Sequence, residues 1–193
     1  MKKQLLLACA LASFTLPAMA ENVYLLGDVG QGKMEVDVGN DYTAKETTTA
    51  YSLGVGYNFN QFFAVELAYR DLGHVTDHGF YTDEGVQYSY RDKTSATAFQ
   101  ASVVGSLPIS DEFSVYGRVG VGRIDVDYDS FEIDSSNNAW SDSVSESKTK
   151  GLLGIGASYK ITPEIAIRAE YNQFAKWDDT KLSALTLGAT YSF

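Results

Sequence analysis

Eight stretches of this chain alternate apolar and polar residues with period two, and in each the apolar residues fall on odd numbers. Tyr51, Leu53, Val55 and Tyr57 form one such row; Phe63, Val65, Leu67 and Tyr69 form another; Leu185, Leu187, Ala189, Tyr191 and Phe193 form the last. The remaining five start at Val23, Phe99, Phe113, Leu153 and Ile165. Each row lies in a segment near ten residues long, the span with which a tilted strand crosses a bilayer. The even positions between them are mostly small or polar, among them Gly54, Gly56, Ser52, Gln100, Ser102, Gly154, Gly156, Thr186 and Gly188. A soluble sandwich would have to fill its core with one of these faces. Glycine is too small for a sandwich core but suits the narrow lumen of a small barrel. The reading is an all-β fold, an eight-stranded antiparallel up-and-down transmembrane β-barrel with its apolar face outward.

Connections alternate in length. Asn58 to Gln61, Pro108 to Glu112 and Lys160 to Glu164 read as tight turns, whereas 32–46, 72–95, 125–147 and 174–181 read as longer polar loops. Short periplasmic turns opposite long external loops are the expected asymmetry. The aromatics sort the same way. Tyr57, Phe63, Phe113, Tyr159, Tyr191 and Phe193 fall at the short-turn ends; Tyr51, Tyr69, Phe99 and Tyr171 fall toward the other. Two interfacial belts are expected.

The N-terminus is consistent with export. Lys2 and Lys3, an apolar run from Leu5 to Leu16 and Ala18-Met19-Ala20 have the form of a cleavable signal peptide. Segment 1–20 is therefore read as signal peptide and 21–193 as the barrel domain. Leu6-Leu7-Ala8-Cys9 resembles a lipoprotein site, but cutting there would leave almost no apolar region before it. Loss of the two lysines takes the formal charge from −10 to −12, which argues against nucleic acid as partner. Cys9 is the only cysteine, so no disulfide is expected in the exported chain.

Segments 54–73, 151–171 and Leu185-Thr-Leu-Gly-Ala-Thr-Tyr-Ser-Phe193 resemble strands of the OmpA transmembrane domain family. The resemblance covers the barrel and leaves the long loops unmatched. It implies the outer membrane of a Gram-negative cell, with its lipids and lipopolysaccharide as surroundings. It also implies barrel-assembly machinery and periplasmic chaperones as partners, Phe193 serving as the assembly signal. The sequence stops at Phe193, where the family continues into a peptidoglycan-binding domain, so no wall-tethering role and no such domain are expected.

Inward parity places Asp28, Glu66, Arg70, Arg118, Arg168 and Glu170 in the lumen, three acids against three bases. Balanced charges can pair, whereas isolated ones would be costly. The resemblance puts Glu66, Arg118 and Arg168 in the family's interior salt-bridge network. Ser158 falls where the family has a further acid, Asp28 where it has a base, and the fourth strand has no inward lysine, so the network is rewired. A charge-balanced plug is the first reading; a narrow, low-conductance, porin-like path is the alternative.

Between Arg123 and Lys148 lie seven acids and no Lys or Arg. Asp125, Asp127 and Asp129 suggest a calcium loop, but Ser130 stands where glycine should be and Ser136 where the bidentate Glu should be. Solvated loop is the plain reading; contact of Arg123, Asp125, Asp127 and Asp129 with lipopolysaccharide, directly or through a divalent ion, is the sharper one. His74 and His78, placed in the second long loop, raise a lipid A-modifying enzyme, but no serine is evidently paired with them. Trp140 and Trp177 fall in loops three and four, as binding anchors or loop cores. The glycines at 151, 154 and 156 precede no helix, so they do not bind a nucleotide. No cofactor, resident metal or catalytic residue is expected. The resulting expectation is a non-enzymatic structural barrel whose long acidic loops meet lipopolysaccharide, host or phage surfaces.

Overall fold

The computed structural model describes residues 22–37, 43–83, 86–136, 138–176 and 180–193; segment 1–20, Glu84 and Trp177 lie outside them. Eight strands follow one another: β1 (Val23–Asp37), β2 (Thr43–Asn58), β3 (Phe63–Asp83), β4 (Val86–Pro108), β5 (Phe113–Asp134), β6 (Ala139–Lys160), β7 (Ile165–Phe174) and β8 (Thr180–Ser192). Each pairs antiparallel with the next, and β1 pairs with β8, so the sheet closes on itself and the barrel wall has no free edge.

Side-chain parity is as the period-two pattern requires. Leu53, Val119, Leu153, Ile155 and Leu187 are all more than half exposed on the outside, while Asp28, Ser52, Glu66, Gln100, Arg118 and Glu170 are buried within. The three short turns share one design: an apolar residue, then Asn, Ser or Thr, two more residues, and a second apolar residue. In each, the first apolar N–H donates to the last apolar carbonyl, from Phe59 to Phe63 at 2.9 Å, Ile109 to Phe113 at 2.9 Å and Ile161 to Ile165 at 2.8 Å. The polar side chain accepts the returning N–H, as when Phe63 donates to Asn60 Oδ1 at 2.9 Å and Phe113 to Ser110 Oγ at 3.0 Å.

The long connections differ from the expectation. Segments 32–46, 72–95 and 125–147 are mostly strand, and the ladder of β3, β4, β5 and β6 continues far beyond the row Tyr69–Phe99–Arg123. From Phe99 to Val86 the strand runs on for roughly 40 Å. His74, His78 and Trp140 therefore sit on strands, not in loops. Above the apolar rows these strands are rich in Thr, Ser and Tyr, which pair well in sheets while carrying no hydrophobic signal.

The ribbon is also reset at its base. The β3–β4 register shifts between Asp71 and His74, with Gly73 at φ +90° and its N–H donating to Asp71 Oδ1 at 2.7 Å. A side chain at Gly73 would be strained by this left-handed backbone and would press on Thr48. The bulge reverses the parity of β3. Beyond it His74, His78 and Phe80 face outward, and Asp77 and Tyr81 join the inner face with Tyr88, Tyr90 and Asp92.

Candidate functional site

The lumen is built in layers. At the short-turn end Tyr24 and Tyr116 project inward over Gly56 and Gly156, where any Cβ would collide with the tyrosine rings. Around them opens a vestibule of about 160 Å³ that reaches Glu66 and Arg168. That is room for roughly five waters.

Above it lies the charged layer. Arg118 spans two acids, pairing with Glu66 and donating from Nη2 to Glu170 Oε2 at 2.9 Å, while its Nη1 donates to Ser102 Oγ at 2.7 Å. Arg168 forks onto Asp28, from Nε to Oδ1 at 2.9 Å and from Nη2 to Oδ2 at 3.2 Å, and its Nη1 donates to Glu66 Oε1 at 3.1 Å. Tyr24 donates to Glu66 Oε1 and Ser52 to Asp28 Oδ2, both at 2.6 Å; Asn172 donates to Glu170. Arg70 is the exception. It is 1% exposed, its nearest carboxylate oxygen on Glu170 is 3.7 Å away, and none of its three nitrogens makes a hydrogen bond. All six interior charges read from parity thus lie in one buried cluster, five of them bound by side-chain hydrogen bonds and Arg70 held by charge alone.

Toward the outside comes an apolar layer that the sequence reading missed. Leu72, Ile124, Leu152, Phe174 and Leu182 pack with Ala50, Ala96, Ala98 and Ala184 across the lumen. Its signal was present in the sequence: these are the large even-numbered apolar residues at the outer ends of the strands.

On the ribbon's outward face Arg123, Asp125, Asp127 and Asp129 form one column on β5. Ser147 donates to Asp125, Ser145 donates to Asp127 at 2.5 Å, and Arg123 Nε lies 3.5 Å from Asp125 Oδ1. Lys93 stands opposite Asp129. The acids are spaced along a strand and do not converge, and among the described residues no group of three His, Cys, Asp or Glu could hold a metal. A serine does stand beside a histidine, since Ser95 is directly opposite His74. The acid in that row, Asp127, lies on the far side of Ser95 and accepts from Ser145, so no acid–His–Ser relay forms. Trp140 is exposed and tilts against Tyr88 at 6.5 Å.

A closed eight-stranded barrel with apolar rows outside, charges inside and polar hairpins at one end defines an outer-membrane β-barrel protein. The chain belongs to the outer membrane protein beta-barrel domain family, whose model matches residues 6–193. It is 27% identical over 180 residues to outer membrane protein P5 of Haemophilus influenzae, covering 84% of this chain and 48% of that relative, about half its length. It is 24% identical over 201 residues to the attachment invasion locus protein of Yersinia enterocolitica, with 100% of both covered. The crystal structure of the Yersinia pestis attachment invasion locus protein has the same fold, with a TM-score of 0.51 at 21% identity, covering 90% of this chain and 99% of that one. The protein is thus a component of the Gram-negative outer membrane.

Proposed function

We propose that this barrel is a non-enzymatic surface-interaction protein, with the lumen serving as a plug and the outer ribbon meeting partners. One observation carries the reading. The charged cluster and the apolar layer lie one above the other inside the barrel, whereas β3–β6 run on far past the Tyr69–Phe99–Arg123 row. One relative is named for attachment and invasion, which agrees with this reading. Arg123 and the acids above it stand just beyond the belt, at the height of lipopolysaccharide phosphates, Arg123 contacting them directly and the acids through a divalent ion. Cleavage after Ala20 and recognition of Phe193 during assembly belong to the same proposal.

Register dictates the test. Asp127 pairs with Ser145, so deleting 128–142 leaves Ser143 and Val144 as a two-residue connection, a length hairpins accept. The shortened protein is expected to lose host-cell adhesion or phage attachment while keeping its heat-modifiable gel mobility. Unchanged attachment with unchanged mobility would remove the ribbon tip from the account. A low-conductance path is the second reading, favoured by the vestibule that reaches Glu66 and Arg168.

A further inference from the structure

The two faces of the β3–β6 ribbon carry different charge. On the outward face the described cations Arg91, Lys93 and Arg123 alternate with acids, Lys93 lying opposite Asp129 and Arg123 beside Asp125. The inner face holds Asp77, Asp92, Glu132, Asp134, Asp142 and Glu146. Beyond the buried cluster that holds Arg70 and Arg118, its only cations among the described residues of these strands are Lys148 and Lys150 at the foot, and Lys148 is 3.2 Å from Glu146.

Aromatic rings lie among those acids. Tyr81 stacks on Tyr88 with centroids 5.0 Å apart and planes 12° apart, and Trp140 tilts against Tyr88 at 6.5 Å. Tyr81 donates to Glu132 Oε1 at 2.6 Å, fixing the cluster between β3 and β5. Trp140 is 52% exposed and Asp142 beside it is also exposed. Asp92, on the same face, has a buried Oδ1 without a hydrogen-bond partner. Ring faces flanked by carboxylates attract guanidinium and ammonium groups by quadrupole and charge together.

We propose that this inner face is a docking surface for a cationic polypeptide segment rich in arginine or lysine. The inference rests on the ribbon being the interaction element and names the chemistry of its partner. Basic side chains lie over Tyr88 and Trp140 while carboxylates at Asp92, Glu132 and Asp142 accept from them. The Gly73 bulge makes the surface, because without the parity reversal Tyr81 and Asp77 would face outward.

The test uses the full barrel in zwitterionic-detergent micelles, carrying Trp177→Phe so that Trp140 is the sole tryptophan. A synthetic oligo-arginine peptide is titrated against its fluorescence and by calorimetry, with oligo-glutamate and a heparin fragment as controls. Oligo-arginine is expected to bind, and to bind about tenfold or more weakly to Asp92→Asn/Asp142→Asn and to Trp140→Ala. The outward pair Asp125→Asn/Asp127→Asn, with the same change in net charge, is expected to bind like the parent. Equal loss in both pairs would reduce the effect to general attraction and overturn the proposal; so would no binding, or binding of heparin alone. Adhesion lost on deleting 128–142 but kept in Asp92→Asn/Asp142→Asn would sink this inference alone. Adhesion kept in both would sink the reading beneath it.

Discussion

Arg118→Ala is expected to destabilise the folded barrel by about 3–5 kcal/mol, measured by reversible urea unfolding in phospholipid vesicles. The arginine bonds Glu66, Glu170 and Ser102 at once, all of them buried. Its removal leaves buried acids with too few donors, and a buried charge stripped of its partner costs far more than an intact pair contributes. Arg118→Lys should recover only part of the loss, because an ammonium lacks the planar fork that reaches three partners. Adding Glu170→Gln to Arg118→Ala should restore some stability, since it removes one stranded charge. A loss below about 1 kcal/mol, the range of solvated pairs, would mean that the cluster is wet and loosely held.

Val119→Arg is expected to cost roughly 2–4 kcal/mol in the same assay, the penalty for a cation on the lipid face near the bilayer midplane. Val119 lies between Val103 and Leu153 in the outward rows, with Phe113 toward one belt and the Phe99–Arg123 row toward the other. Ser143→Arg points to the same side but stands on the ribbon, beyond the belt, and should change stability by no more than about 0.5 kcal/mol. Equal effects at the two positions would mean that the boundary between lipid and water is misplaced.

Much of this architecture was legible because lipid constrains sequence strictly. A residue such as Leu187 or Val119 that faces acyl chains must be apolar, so the wall shows up as unbroken odd-numbered rows. The same parity located Asp28, Glu66, Arg70, Arg118, Arg168 and Glu170, since a charge between two lipid-facing residues can only point inward. What parity cannot give is pairing across the lumen. That Arg168 forks onto Asp28 while Arg118 spans Glu66 and Glu170 depends on how far each strand is staggered around the barrel.

Beyond the belts the constraint lapses, and strands there carry no apolar row to mark them. A stretch such as Ser141 to Ser147 is polar at every position but Val144, so strand and loop look alike in sequence. The parity reversal was hidden for a local reason: Asp71-Leu72-Gly73 has the composition of a turn, and only the continued pairing of His74 with Ser95 reveals a bulge. Leu72, Ile124 and Phe174 escape the parity reading because the even positions are mostly small or polar, whereas these large apolar side chains pack together in the outer lumen.

Recording purified protein in planar lipid bilayers tests the closed lumen most directly. The salt-bridged cluster and the apolar layer predict no reproducible unitary current. Regular conductance steps whose size changes in Glu66→Ala or Arg168→Ala would contradict the plug and make the lumen a path.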